Sequence, residues 1–241
     1  AYGLLKAWPA LPHQLWVAPN GTEWLLWGVC AAALVALLEH TPFTPARTGP
    51  ALAIGAAAGA VWLVLKKAAG NWSSSVAWLH VGGGAVAVVL LTLGHRVVLA
   101  RAPSRIFPAM LFCVVLSVDA AVLTLGKSAL LGQLCGAVAA ALGAGISTAL
   151  WRRPFVLTVA DGTWLGMAHG LFLLAGVHLA YLPWSAAGCA FVAPLTLLLL
   201  RDGLGAKRPK AWALAASALV AVPCAAALWF ALPQSTGPYG Y

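Results

Sequence analysis

The stretch IFPAMLFCVVLSVDAAVLTLG, residues 106–126, decides the fold class. Its 21 residues carry one charge, Asp119. As a helix it rises roughly 30 Å, the thickness of the hydrocarbon core of a bilayer. Seven further runs of the same character fall at about 22–40, 50–66, 76–95, 128–150, 163–182, 184–200 and 211–232. The breaks between them are rich in Pro, Gly, Ser and basic residues: TPFTPARTGP, AAGNWSSS, RAPSR, LPWS and RDGLGAKRPK. The reading is all-α, a polytopic integral membrane bundle of about eight transmembrane helices.

Composition agrees. Of 241 residues, 62% are hydrophobic and 8% charged, whereas soluble domains carry about 25% charged residues. One membrane domain accounts for the chain. Residues 1–20, broken by Pro9, Pro12 and Pro19, read as an interfacial segment; 22–232 form the bundle and 233–241 a short polar tail. PFVLTVADG, 154–162, is too short to cross and either lies along the surface or extends the sixth span.

The net charge of +9 does not indicate a nucleic-acid partner. The basic residues sit singly or in small groups in short loops, and no basic stripe with interleaved aromatics exists. They report orientation instead. Of 14 Lys and Arg, ten (Arg47, Arg96, Arg101, Arg105, Arg152, Arg153, Arg201, Lys207, Arg208 and Lys210) fall in the odd loops, and four (Lys6, Lys66, Lys67 and Lys127) on the other side. The excess places the odd loops in the cytoplasm and both termini outside. The Ala/Gly/Arg bias suits a bacterial inner membrane.

Cys30, Cys113, Cys135, Cys189 and Cys224 fall in five different apolar runs without a CxxC, as small buried hydrophobes do. Gly55 and Gly59, and Gly166 and Gly170, form GxxxG pairs, which let helix backbones approach; all four are expected at helix contacts. Shifting the chain by 86 residues aligns Lys66-Lys67 with Arg152-Arg153, Trp78-Leu79 with Trp164-Leu165, and Gly84 with Gly170, a faint hint of an inverted repeat.

The candidate polar site is Asp119, Lys127, His80 and His178. A charge at membrane depth is costly and has a partner or a task. Asp119, Leu123 and Lys127 follow i, i+4, i+8 spacing, so Lys127 is the favoured partner, with His80 and His178 as the others. His80 and His178 enter the same outer third of the bilayer from two spans. A haem between them is the weakest reading, because His169 and His178, nine residues apart, point to opposite faces and break the paired pattern of two-haem bundles. No other cofactor or metal is implied. His169 reads as a hydrogen-bonding residue at a helix contact. Glu39, His40, His95, Asp161 and Asp202 read as solvated ends and loop charges.

There is no HExxH motif, no Walker-type phosphate loop and no GxSxG elbow. The expected function is therefore an accessory or scaffold subunit of a larger membrane complex, with lipid and other membrane subunits as partners. A small ion- or proton-coupled transporter or channel using Asp119 is the alternative. A haem- or quinone-associated electron-transfer subunit is the third.

Overall fold

Each apolar run forms a helix. The structure, a computed structural model, describes residues 21–41, 48–102, 106–151, 157–200 and 208–235. Its helices are α1 (Gly21–Glu39), α2 (Gly49–Ala69), α3 (Ser74–Arg101), α4 (Ile106–Leu125), α5 (Ala129–Trp151), α6 (Val159–Leu179), α7 (Trp184–Leu195) and α8 (Pro209–Ser235). A 3-10 turn, Thr196–Leu199, continues α7 just after Pro194. No strand occurs among the described residues. Six helices (α2 to α6 and α8) are long and apolar enough to cross a membrane; α1, and α7 with its 3-10 turn, are shorter apolar helices. The interfacial segment 1–20 and the tail beyond 235 lie outside the described residues, as do Lys6, Arg47, Arg105, Arg152, Arg153, Arg201 and Lys207.

α6 is the axis of the bundle. An unbroken run from Leu165 to Gly176 is buried all round, the pattern of a helix enclosed by others. It packs most broadly on α3 and α1, and also meets α2, α7 and α4. The α3–α6 pair keeps one antiparallel register. A Cβ added to Gly162 would meet the Arg96 backbone nitrogen at 2.8 Å, one on Gly166 the Thr92 Cα at 2.5 Å, and one on Gly170 the Val88 Cγ2 at 3.0 Å. On the same line Leu174 covers Gly84, and His178 meets His80. Side chains at Gly162 and Gly166 would force the two backbones apart.

The other GxxxG pair behaves differently. A Cβ on Gly55 or Gly59 would meet nothing within 4 Å. The buried face of α2 runs instead through Ala53, Ala57, Ala60, Val61 and Val64, so the expectation of a close contact at Gly55 and Gly59 is corrected: both lie on the uncovered face. The 86-residue repeat fails at the level of packing. It would map α1 on α6 to α4 on α3, but α1 packs broadly on α6 while α4 makes no comparable contact with α3.

The short break at Gly126-Lys127-Ser128 makes α4 and α5 an antiparallel hairpin packed along its length. Lys127 has a left-handed backbone, φ 70°. The Ser128 N–H donates to the Leu123 carbonyl and the Lys127 N–H to that of Thr124, the closing bonds of a Schellman turn. α6 begins earlier than the apolar run suggested because Thr158 caps it. Its hydroxyl accepts from the Asp161 N–H, and the Asp161 carboxylate accepts from the Thr158 N–H at 2.7 Å. This is a capping box, so 159–162 extends the sixth helix.

Candidate functional site

Asp119 and His169 meet at the centre of the bundle. α4 presents Asp119 on the face that also buries Val115, Leu116, Val122 and Leu123. α6 presents His169 between Ala168 and Gly170, where small neighbours leave room for the ring. His169 Nε2 lies 3.3 Å from Asp119 Oδ2, with both side chains 1% exposed. The approach misses hydrogen-bond geometry: Asp119 Oδ1 and Oδ2 are buried without a hydrogen-bond partner, and the His169 ring has the Ala190 backbone beside it. An unsatisfied buried polar atom costs about 1–3 kcal/mol, and buried polar atoms in folded proteins are nearly always paired. A buried carboxyl with neither oxygen paired is therefore an expensive feature of this fold.

Asp119 is thus placed against His169 and not against Lys127, His80 or His178. Lys127 shares a side of α4 with Asp119 in the sequence reading, but its left-handed turn ends the helix, and it makes no ion pair with Asp119. His169, read from sequence as a hydrogen-bonding residue at a helix contact, is the missing partner. Only the long-range contact of α4 with α6 reveals it.

His95 extends the site. Its ring stacks on Phe112, with centroids 4.6 Å apart, and meets His169 edge-on at 5.6 Å. His95 Nδ1 lies 2.8 Å from the Leu91 carbonyl, which only accepts, so Nδ1 carries the hydrogen and Nε2 does not. His95 is 2% exposed. Its reading as a solvated helix end is corrected, because α3 continues to Arg101 inside the bundle.

One residue further on, Arg96 donates to Glu39 and, at 2.6 Å, to the Thr163 hydroxyl. Thr163 donates in turn to Glu39 at 3.1 Å. The Arg96 and Glu39 side chains are 12% and 6% exposed. Neither is a solvated loop charge. They close a three-helix junction between the end of α1, α3 and the start of α6. Outside it, His40 Nε2 lies 3.6 Å from Asp161 Oδ1 and 3.2 Å from the Thr158 hydroxyl, at the exposed edge. Polar groups therefore descend from that edge to the centre. Along α6, Asp161 and His169 are roughly 12 Å apart.

His80 and His178 form a separate cluster at the opposite end of α3 and α6. Their rings meet edge to face with centroids 5.0 Å apart. Trp72 lies 5.0 Å from His80 and 5.4 Å from His178, and Trp184 stacks on His80 at 6.1 Å. His178 Nε2 is buried without a partner. A haem between two imidazoles needs both rings end-on to a metal, with bonds of about 2 Å and the macrocycle lying between them. Rings in direct contact and flanked by two indoles leave no such space, so His80 and His178 do not fit a haem in this arrangement. No cluster of three or more metal-ligating side chains occurs among the described residues.

Between the two clusters α6 is apolar. Leu171, Phe172, Leu173, Leu174 and Ala175 are buried, and Leu123 and Leu182 close over Gly176. No protein-family model, curated protein or solved structure matches this chain.

Proposed function

We propose that this chain is a small proton-coupled membrane transporter of eight spans, with Asp119 and His169 as its proton-carrying centre. The carrying observation is the fully buried Asp119–His169 contact, in which neither carboxyl oxygen has a hydrogen-bond partner. Intramembrane ionisable residues that face the bundle interior are the usual parts of proton relays. A role confined to stability favours satisfied pairs, since replacing a buried polar pair by apolar side chains is often neutral or stabilising.

The donor set favours the proton over a hard metal cation. Ca²⁺ and Mg²⁺ take about six or more oxygen ligands. Here one carboxylate meets one imidazole, which meets a second, and the Thr92 hydroxyl is committed to the Val88 carbonyl. A carboxyl and an imidazole 3.3 Å apart need only a small ring rotation to align into a hydrogen bond, along which one proton can pass.

The eight-span topology, the outside termini and a bacterial inner membrane belong to the same proposal. The ten-to-four distribution of basic residues supports the orientation. The gathering of the α1 end, the α3 end and the α6 start at one junction suits strict alternation of eight helices.

The test is proton flux in proteoliposomes carrying a trapped pH-sensitive dye, driven by an imposed membrane potential. Wild-type protein is expected to acidify or alkalinise the lumen, and Asp119→Asn to abolish this while remaining monodisperse. A folded wild type without flux overturns the proposal. The second reading, an accessory subunit of a larger membrane complex, is favoured by the uncovered Gly55–Gly59 face of α2. Stoichiometric co-purification of another membrane protein in mild detergent, lost on Gly59→Leu, supports it.

A further inference from the structure

The approach to the central pair is asymmetric. From the Glu39 end, polar groups follow one another inward: His40 and Asp161, then Glu39, Arg96 and Thr163, then His95, then His169 and Asp119. From the His178 end, nine residues of α6, roughly 13 Å, separate the His80–His178 cluster from His169. That interval is filled by buried leucine, phenylalanine, alanine and glycine, sealed by Leu123 and Leu182 at Gly176. A proton has stepping stones on one side and an apolar plug on the other.

The polar side is also closed. α3 and α6 touch backbone to backbone at Gly162 and Gly166, and the Val88 and Leu91 side chains fill the contact at Gly170, so no channel runs between them. Next to His95 in the chain, Arg96 belongs to a junction in which one guanidinium ties three helices: Glu39 from α1, Thr163 from α6 and Arg96 itself from α3. The junction is nearly dry. Glu39 lies at the last residue of α1 and Thr163 in the second turn of α6. Freeing Arg96 from both would let the α1 end move without disturbing the glycine-packed α3–α6 axis. Side chains on α3 lean toward its N-terminal end, so the His95 ring projects from the junction toward the centre, where it meets His169.

We infer that protons reach the Asp119–His169 pair from the Glu39 end by way of His95, and that the Glu39–Arg96–Thr163 junction is the gate on that route. This rests on the proton-coupled reading only for the identity of what passes; the gate itself is a statement about access. His95 takes the proton at Nε2, the nitrogen left without a hydrogen. It releases that proton from the same nitrogen to His169, which gives up one hydrogen from Nε2 to the Asp119 carboxylate, so His95 returns to its starting tautomer and His169 keeps one hydrogen throughout. Each transfer moves a proton alone, so nothing is oxidised or reduced.

Access is measured independently of flux. In a chain whose five cysteines are replaced by alanine, His95→Cys places a thiol just inside the junction. A small charged methanethiosulfonate reagent is applied to membrane vesicles from either side. With Glu39 and Arg96 intact, labelling is expected to be slow from both sides. Glu39→Gln should raise the rate from the Glu39 side by about tenfold or more, as a shift of about 1.4 kcal/mol in an opening equilibrium does. Labelling from the His178 side should not change. The charge swap Glu39→Arg with Arg96→Glu rebuilds the ion pair and should return labelling to the slow rate; it also serves if Glu39→Gln alone does not fold. Unchanged labelling in Glu39→Gln, or equal acceleration from both sides, overturns the gate. Faster labelling in a protein that carries no protons leaves the gate standing and removes the proton-coupled reading. Proton flux abolished by Asp119→Asn, with labelling indifferent to Glu39, does the reverse.

Discussion

His169 Nε2 sits 3.3 Å from Asp119 Oδ2 where neither side chain is more than 1% exposed. The two residues are fifty positions apart in the chain and come from helices that touch over a small area. Each is the other's only ion-pair partner among the described residues. Removing one strands the other. His169→Leu or Asp119→Leu alone is therefore expected to lower the thermal midpoint in detergent. The double variant should recover much of the loss, with a coupling of about 0.5–3 kcal/mol in a double-mutant cycle. Additive losses would show that the contact is incidental. The double variant should carry no proton flux whatever its stability.

The two GxxxG pairs separate just as sharply. A side chain on Gly166 collides with the Thr92 backbone, whereas one on Gly59 meets nothing within 4 Å. Gly166→Leu is expected to cost about 1–3 kcal/mol or more through overpacking, read as lost monodisperse protein or a lowered midpoint. Gly59→Leu should stay within about 0.5 kcal/mol of wild type in the isolated chain. Equal loss at both positions would place a helix against α2 that this bundle does not contain.

Helix positions were legible in the sequence because apolar length and Gly/Pro breaks act locally. The run at 106–126 is α4, Ile106–Leu125, and that at 128–150 is α5, Ala129–Trp151. The ends that moved did so for reasons that are less local. α3 runs past 95 to Arg101 because Glu39, 57 residues earlier, holds Arg96. α6 starts at Val159 because Thr158 and Asp161 cap it, a T-x-x-D signal that was present in the sequence. The site was less legible. Asp119 stands out as the one acidic residue deep in an apolar run, but helical spacing points to Lys127, a neighbour on its own chain segment. His169 is named only by tertiary contact. One sequence signal was available: Gly162 precedes Gly166 and Gly170 at the same spacing, which would have identified α6 as the buried helix and so made its histidine the natural partner.

Lys127 carries a different expectation once it is freed from Asp119. Its φ of 70° is left-handed, which costs a residue with a Cβ roughly 1–2 kcal/mol. Lys127→Gly is expected to raise stability by up to about 1 kcal/mol, in line with compatible glycine positions, and to leave proton flux intact. A loss of flux would restore Lys127 to the site.

Thr158 offers a test of the junction's foundation. Its hydroxyl accepts the Asp161 N–H and lies 3.2 Å from His40 Nε2. Thr158→Ala removes the cap and should cost about 1 kcal/mol. Because Thr163 lies in the second turn of α6, directly after the capped one, the same change is expected to speed labelling at His95→Cys, though less than Glu39→Gln does. Serine at the same position should restore both. A stability loss without altered labelling would mean that the cap and the junction act independently.

Orientation provides the last test. Lys66, on the side with few basic residues, has its Nζ 3.8 Å from the Trp24 ring centroid at the far end of α2 from the Arg96 junction, so its charge is held locally by an indole. The remaining basic excess lies in the odd loops, and cytoplasmic loops carry that excess in membrane proteins. Single cysteines at Arg105 and Arg208 are therefore expected to resist an impermeant thiol reagent on intact cells and to react once the membrane is permeabilised. A cysteine at Ser235 should react in intact cells. If the pattern is reversed, the gate at Glu39 faces outward, and protons enter from the opposite compartment along the same residues. If the sites at Arg105 and Arg208 report opposite sides, an odd number of helices crosses between them, and α7, the shorter apolar helix of that interval, is the one that does not.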